Sequence, residues 1–246
     1  MSIQKPSPEA VKSLAPTGRL RAAINRGNAV LVQSDPATGA PTGIAVDLAR
    51  VLGERLSVPV DQVIFDAAGK VFEALKRQAW DIAFLAVDPV RAAEIAFTAP
   101  YVIIEGSYMV RTESPLQTSG DVDRTGNRIA VAAGSAYELH LSRAIKAASL
   151  VRLPNGNEAM AAFNRDKLEV AGGVRQALQN HMASNPGLRI LEPPFMKIHQ
   201  AMGTPRGRTA GAEYLNAFIE EMKASGFVAD SLNRAGQADA TVAPPA

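Results

Sequence analysis

The chain has 246 residues, 47% of them apolar and 20% charged, so it is globular in composition and long enough for one large domain or two small ones. Its net charge of +2 is scattered, with no basic run or aromatic-basic stripe, which argues against nucleic acid as a partner. The absence of cysteine excludes disulfides, thiolate catalysis and cysteine metal sites, and no apolar stretch approaches the roughly 18 residues of a membrane span.

In chain order, residues 1–17 read as a loose end rich in Pro, Ala and small polar residues, and residues 237–246 as another. The N-terminal stretch has no apolar core of the kind a secretory signal needs, so a signal was either never there or has been removed. "RLRAAIN" (19–25) is a first strand, and 43–58 a helix carrying Val46, Ala49, Leu52 and Leu56 at helical spacing. A strand over 60–65, a helix over 69–78 and the strand "WDIAFLAV" (80–87) complete the alternation of parallel βαβ units. Ile82 to Val87 is a continuous apolar run of the kind a sheet covered on both faces requires.

One extended segment and a polar stretch occupy 105–126. A second set then alternates: strand 128–133, helix 135–148, strand 150–153, helix 157–165, strand 168–172, helix 174–183 and strand 189–192. Another extended segment spans 195–208, and 210–236 gives two helices joined at Ser225-Gly226. Two extended segments flanking a self-contained α/β unit predict two lobes with a cleft between them. The first lobe takes 18–108 with 204–236 and the second 112–198.

Candidate site residues follow from this layout. Arg91 lies within a turn of the strand 80–87, at the C-terminal sheet edge where ligands of open α/β sheets sit, and an arginine there suggests an anion. Arg91 could equally cap a helix or pair with Glu94. Asp88 opens an Asp-Pro turn and can be explained by a bond to its own backbone. Glu105 interrupts the apolar "YVIIEGSYMV" and needs a partner. Lys70 opens a helix against the dipole, aimed at the same strand edge. His140, His181 and His199 are far apart without ligand spacing, so neither a metal nor a cofactor is expected.

The ordered set of Gly43 with Asp47-Leu48-Ala49, Trp80-Asp81, and Arg91 followed by Phe97 and Pro100-Tyr101 resembles the amino-acid-type solute-binding proteins of ABC transporters, family 3 of the bacterial extracellular solute-binding proteins. The resemblance covers about 19–235. It implies an α/β, two-lobed periplasmic-binding-protein-like fold of type 2, with two hinge strands and a ligand cleft between the lobes. It also implies a monomeric, periplasmic protein that hands a small carboxylate or amino acid to an ABC permease; without a visible signal a cytoplasmic location stays open. Arg91 matches the arginine that grips the ligand carboxylate, whose planar fork suits a bidentate pair. "AAGSAYELH" matches the turn that completes the grip, with the Ser135 hydroxyl and the N–H groups of Ala136 and Tyr137 as donors. Ser135 would serve as a plain N-cap just as well.

Departures from the family pattern bear on the ligand. Val174 stands where an aspartate usually holds the ammonium, followed by Arg175, and Asn25, Asn28 and Ala29 replace an aromatic that often stacks on the ligand. Asp88 and Glu105 could take over the ammonium, and Arg175 and Gln200 join Lys70 as further cleft candidates. Three cations against two acids lean toward a ligand without an amine. A dehydratase of the cyclohexadienyl or arogenate type, with Glu105 or Asp88 as general acid, and a cytoplasmic metabolite sensor are the rival readings.

Overall fold

The computed structural model describes residues 5–246. The chain opens with α1 (Pro8–Leu14) and β1 (Leu20–Asn25), then the short hairpin β2 (Gln33–Ser34) and β3 (Pro41–Thr42). Next come α2 (Ile44–Leu56), β4 (Val60–Phe65), α3 (Ala68–Leu75) and β5 (Ile82–Ala86). A one-turn helix α4 (Pro89–Ala92) leads into the long strand β6 (Ile95–Arg111). The second unit holds β7 (Arg128–Ala132), α5 (Ala136–Ala144), β8 (Ser149–Leu153), α6 (Gly156–Arg165), β9 (Val170–Val174) and α7 (Arg175–Ser184). The chain returns through β10 (Leu188–Pro205) to α8 (Thr209–Ala224), α9 (Phe227–Arg234) and β11 (Thr241–Val242).

The strands pair in the order β4-β1-β5-β10-β6-β9-β7-β8, with β11 against β6. Pairing is parallel within β4-β1-β5 and within β9-β7-β8, and antiparallel where β10 and β6 meet each other and their neighbours. The sheet runs through both halves, because the two crossover strands pair with each other from Ile95↔Pro205 to Arg111↔Leu188, with register shifts on the way. Two lobes nevertheless exist, because each half builds core clusters of its own, joined only around Ala136, Val174 and Met196. In the first lobe, side chains alternate across the sheet: Ala22, Ile24, Ile82, Phe84 and Ala86 face one cluster, and Ala23, Ala83 and Leu85 the other. Both faces are covered, which is why Ile82–Ala86 is apolar throughout. The second lobe has its own two clusters, around Ile129 and Val131 on one face and Ala130, Phe163 and Ala171 on the other.

Two expectations are corrected. The extended segments predicted over 189–192 and 195–208 are one strand, β10, with a register shift between Leu191 and Met196. The termini are not loose over the described residues, and residues 1–4 lie outside them. Ser7 caps α1 by accepting from the Ala10 N–H at 3.1 Å, and Ala10 and Leu14 are buried. At the other end β11 adds to β6 at Val102 and Ile103, burying Ala240 and Ala243. A helix with two buried residues and a two-residue strand are too short to show a period, so tertiary contacts alone reveal them. Among the described residues no helix is long and apolar enough to cross a membrane.

Candidate functional site

The C-terminal edge of the first-lobe sheet carries Asn25 at the end of β1, Asp66 after β4, and the β5–α4 turn with Arg91. Asp88 caps α4, accepting from the Val90 N–H at 2.9 Å, and Pro89 supplies a φ ready for the first helical turn. This cap turns Arg91 back under the sheet edge. Arg91 is 1% exposed. Its Nη1 donates to the Ala86 carbonyl at 3.0 Å and its Nη2 to the Gly134 carbonyl of the other lobe at 2.7 Å. Its Nε–H is buried with no acceptor among the described residues. Burial lowers its pKa to about 10, against a smaller opposing pull from Asp88, so the guanidinium stays cationic at neutral pH. A buried cation with an unused donor is costly unless an anion joins it.

The second lobe presents the β7–α5 turn to Arg91. Ser135 is the N-cap of α5, its Oγ accepting from the Glu138 N–H at 3.1 Å. Glu138 secures the turn from behind, accepting from the Gly134 N–H at 3.1 Å, Ser142 Oγ at 2.6 Å and Arg152 Nε at 2.8 Å. Burial pushes the Glu138 carboxyl up, but these bonds outweigh it and hold the group below the usual carboxylate range. The N–H groups of Ala136 and Tyr137 are the first two of α5, donors that the helix itself cannot satisfy. A cation from one lobe and a helix N-terminus from the other therefore face each other, an arrangement complementary to a carboxylate.

Between them lies a cavity of about 60 Å³. Its lining includes Asn25, Asn28, Asp66, Phe84, Arg91 and Gln200 from the first lobe and the strand returning to it, and Ser135, Ala136, Tyr137 and Val174 from the second. It continues into an open groove of about 710 Å³ running between α6 and α7, and Gly27, Asn28, Asp66, Tyr137, Gly156 and Val174 line both. The lobes touch around this space. Arg143 donates to Asp88 at 2.7 Å, and Asn155 to Asp66 at 3.5 Å. Gly69 lies against the β7–α5 turn so closely that a Cβ there would be 2.8 Å from the Ala133 carbonyl oxygen. Ala136 of the second lobe packs into the first lobe's core.

Of the residues singled out in the sequence, Arg91, Ser135, Ala136, Tyr137, Gln200 and Asn28 line the cavity, together with Asn25 and Val174. Four others do not. Asp88 is spent on the α4 cap and on Arg143. Lys70 is 47% exposed and bonds to Asp66 one helical turn back, at 2.7 Å. Glu105 stands on the hinge opposite Lys197, and Arg175 lies between Glu105, at 3.8 Å, and Glu192. The count of three cleft cations is therefore corrected to one, Arg91, because Lys70 and Arg175 find acids nearer than the cavity. Asp66 was missed. It follows the strand 60–65 at the same sheet edge as Arg91, and its i,i+4 spacing to Lys70 would have paired the two. Lys70 holds its carboxyl below the usual range.

Residues 20–237 match the profile of the family described as bacterial extracellular solute-binding proteins, family 3. No match was found among curated protein sequences. Solved structures are similar in fold. An amino acid ABC transporter substrate-binding protein, AbpA of Streptococcus pneumoniae, bound to L-arginine, has a TM-score of 0.79 at 18% identity, covering 92% of this chain and 98% of its own. A P235GK mutant of ArgBP from T. maritima gives 0.78 at 20% identity, covering 92% and 98%. A putative ABC transporter binding component of Wolinella succinogenes, complexed with lysine, gives 0.75 at 21% identity, covering 89% and 95%. At these identities the likeness concerns the fold.

Proposed function

As the chain belongs to family 3 of the bacterial extracellular solute-binding proteins, we propose that it is the substrate-binding component of an ABC transporter for an amino acid, working outside the cytoplasm. The lobes, 18–108 with 204–236 and 112–198, close on the solute and present it to the permease. Arg91 carries this reading: it is a buried cation that lines the cavity beside Ser135, Ala136 and Tyr137 at the start of α5, and its Nε–H is unused. A carboxylate seated there satisfies the guanidinium and the Ala136 and Tyr137 N–H groups together, each charge-assisted bond contributing about 1.5–3 kcal/mol net. Asp66 supports an amine on the same solute, since it is the carboxylate that lines the cavity. Its position on the first lobe replaces the second-lobe aspartate whose place Val174 takes. The reading is of a binder and not a dehydratase: Asp88 and Glu105, the acids assigned to catalysis, are engaged by Arg143 and Arg175.

The test is a thermal-shift and calorimetric panel of L-amino acids beside their 2-oxo analogues. L-amino acids are expected to stabilise the protein, and Asp66→Asn to weaken them about tenfold while leaving 2-oxo acids alone. Stabilisation by no carboxylate at all would refute the anchor, and preference for 2-oxo acids would refute the amine.

A further inference from the structure

We infer that the groove between α6 and α7 receives the distal part of the solute and selects a tail that is uncharged and hydrogen-bonding, an amide, urea or hydroxyl group on a methylene stem. The inference rests on the reading of Arg91 as the carboxylate anchor, because that seat leaves a tail no larger way out than the groove. Cavity and groove share six lining residues, and the groove is the larger space by far, about 710 Å³ against 60 Å³. Its walls are residues of α6 and α7 and the Gly172-Gly173 segment of β9, with residues 26–30 and Asp66 of the first lobe on the remaining side.

The chemistry of those walls is specific. Six asparagines line the groove, Asn28 from the first lobe and Asn155, Asn157, Asn164, Asn180 and Asn185 from the second. The side-chain amides of Asn157 and Asn180 make no hydrogen bond to the described residues, so they are open to a ligand as donor and acceptor. Asn164 Nδ2 lies 3.4 Å from His181 Nε2 on the opposite wall. Met160, Ala161, Ala177 and Leu178 supply apolar surface between the amides. Charged groups are scarce: only Arg26 and Asp66 line the groove. Arg26 donates to the Gly39 carbonyl at 2.7 Å, and Asp66 is held by Lys70. A guanidinium or ammonium at the end of the tail would meet no carboxylate but Asp66, which the solute's own amine and Lys70 already share, and a carboxylate no cation but Arg26, which stands on the first-lobe loop after β1 and not on α6 or α7. Amides match a neutral tail on both counts, since an unmatched charge is penalised more heavily than a missed neutral bond.

Isosteric pairs test this by calorimetry: L-citrulline against L-arginine, and L-glutamine against L-glutamate, with L-alanine as the tail-less probe. Citrulline and glutamine are expected to bind about tenfold or more tighter than their charged partners. Filling the groove from both walls with Ala161→Phe and Ala177→Phe is expected to weaken citrulline about tenfold or more while L-alanine titrates as before. Should that double variant not fold, Asn157→Leu with Asn180→Leu, both exposed on the groove walls, is expected to remove the preference for citrulline over arginine. Tighter binding of arginine or glutamate, or a citrulline affinity that neither double variant changes, would overturn the inference while L-alanine binding keeps the anchor reading intact. If neither L-alanine nor pyruvate binds the unmodified protein, the anchor reading falls and the inference with it.

Discussion

Gly69 offers a perturbation that separates closure from stability. It lies in the first turn of α3, and across the cleft the β7–α5 turn leaves no room for a side chain. A Cβ at Gly69 would stand 2.8 Å from the Ala133 carbonyl oxygen, 3.3 Å from Gly134 Cα and 3.6 Å from the Ala133 carbonyl carbon, all backbone atoms that cannot rotate away. Restoring ordinary contact requires the lobes to part by about half an ångström at this point. The same movement stretches the 2.7 Å bond from Arg91 to Gly134 and draws α5 away from the carboxylate seat. Overpacking of this kind costs about 1–3 kcal/mol, and here the cost arises only when the lobes are together. Gly69→Ala is therefore expected to weaken amino-acid binding about tenfold to a hundredfold. In the free protein the sign reverses, because alanine is the better helix former by up to about 1 kcal/mol. Titration calorimetry with the amino acid giving the largest thermal shift, beside melting of both free proteins, reads the two effects separately. An unchanged Kd would refute the close approach of the lobes. A lower melting temperature in proportion to the lost affinity would show that Gly69 serves the first lobe's fold instead. Gly134→Ala is a poorer probe, since φ there is +66° and any side chain is strained.

Arg143→Met removes the ion pair that joins the lobes at Asp88; with Arg143 47% exposed the pair is worth at most about 1 kcal/mol, so a rise of several-fold in solute dissociation rate by stopped flow is expected, and an unchanged rate would count against a latch. Asp81 is fully buried between Arg21 and Arg208, and Asp81→Asn is expected to cost about 3–5 kcal/mol in denaturant unfolding, with less than 1 kcal/mol contradicting its role. Burial pushes the Asp81 carboxyl up, but the bonds from Arg21 and Arg208 hold it below its ordinary value. Its stabilisation is thus present above the unfolded carboxylate pKa of about 3.9 and is lost as pH falls through the lower folded value. The variant should lack that part of the acid-unfolding limb, and identical pH profiles below about 4 would refute the assignment.

The parts of the fold that local chemistry dictates were readable in the sequence. Strands buried on both faces must be apolar throughout, so Ile82–Ala86 announced itself, and Asp88-Pro89 marked the turn that follows. Ser135 at a strand-to-helix turn likewise pointed to an N-cap. Long-range pairing was not readable. Glu105 as an unpartnered acid in an apolar strand, Lys70 as a cation at a helix start and Arg175 beside Val174 are expected in the cleft, but their partners are Arg175, Asp66 and Glu192 respectively. Only Asp66 is near enough in sequence to have been found by helical spacing. The start of β6 at Ile95 was hidden because its burial does not follow a period of two, and the approach of Gly69 to Gly134 because it joins two lobes.

Arg91 as the seat of a ligand carboxylate is tested most directly by Arg91→Met, which keeps much of the side-chain volume and removes the charge and the donors. Replacing a buried ion by an apolar side chain of similar size is often neutral or stabilising, so the free variant is expected to melt at or above the temperature of the unmodified protein. Calorimetric titration with L-alanine and L-citrulline is expected to show both bound about thirtyfold or more weakly, the loss of about 2 kcal/mol that a charge-assisted bond contributes. Equal affinity in Arg91→Met for either amino acid would contradict the assignment, and equal affinity with early melting would make Arg91 a structural tie between Ala86 and Gly134.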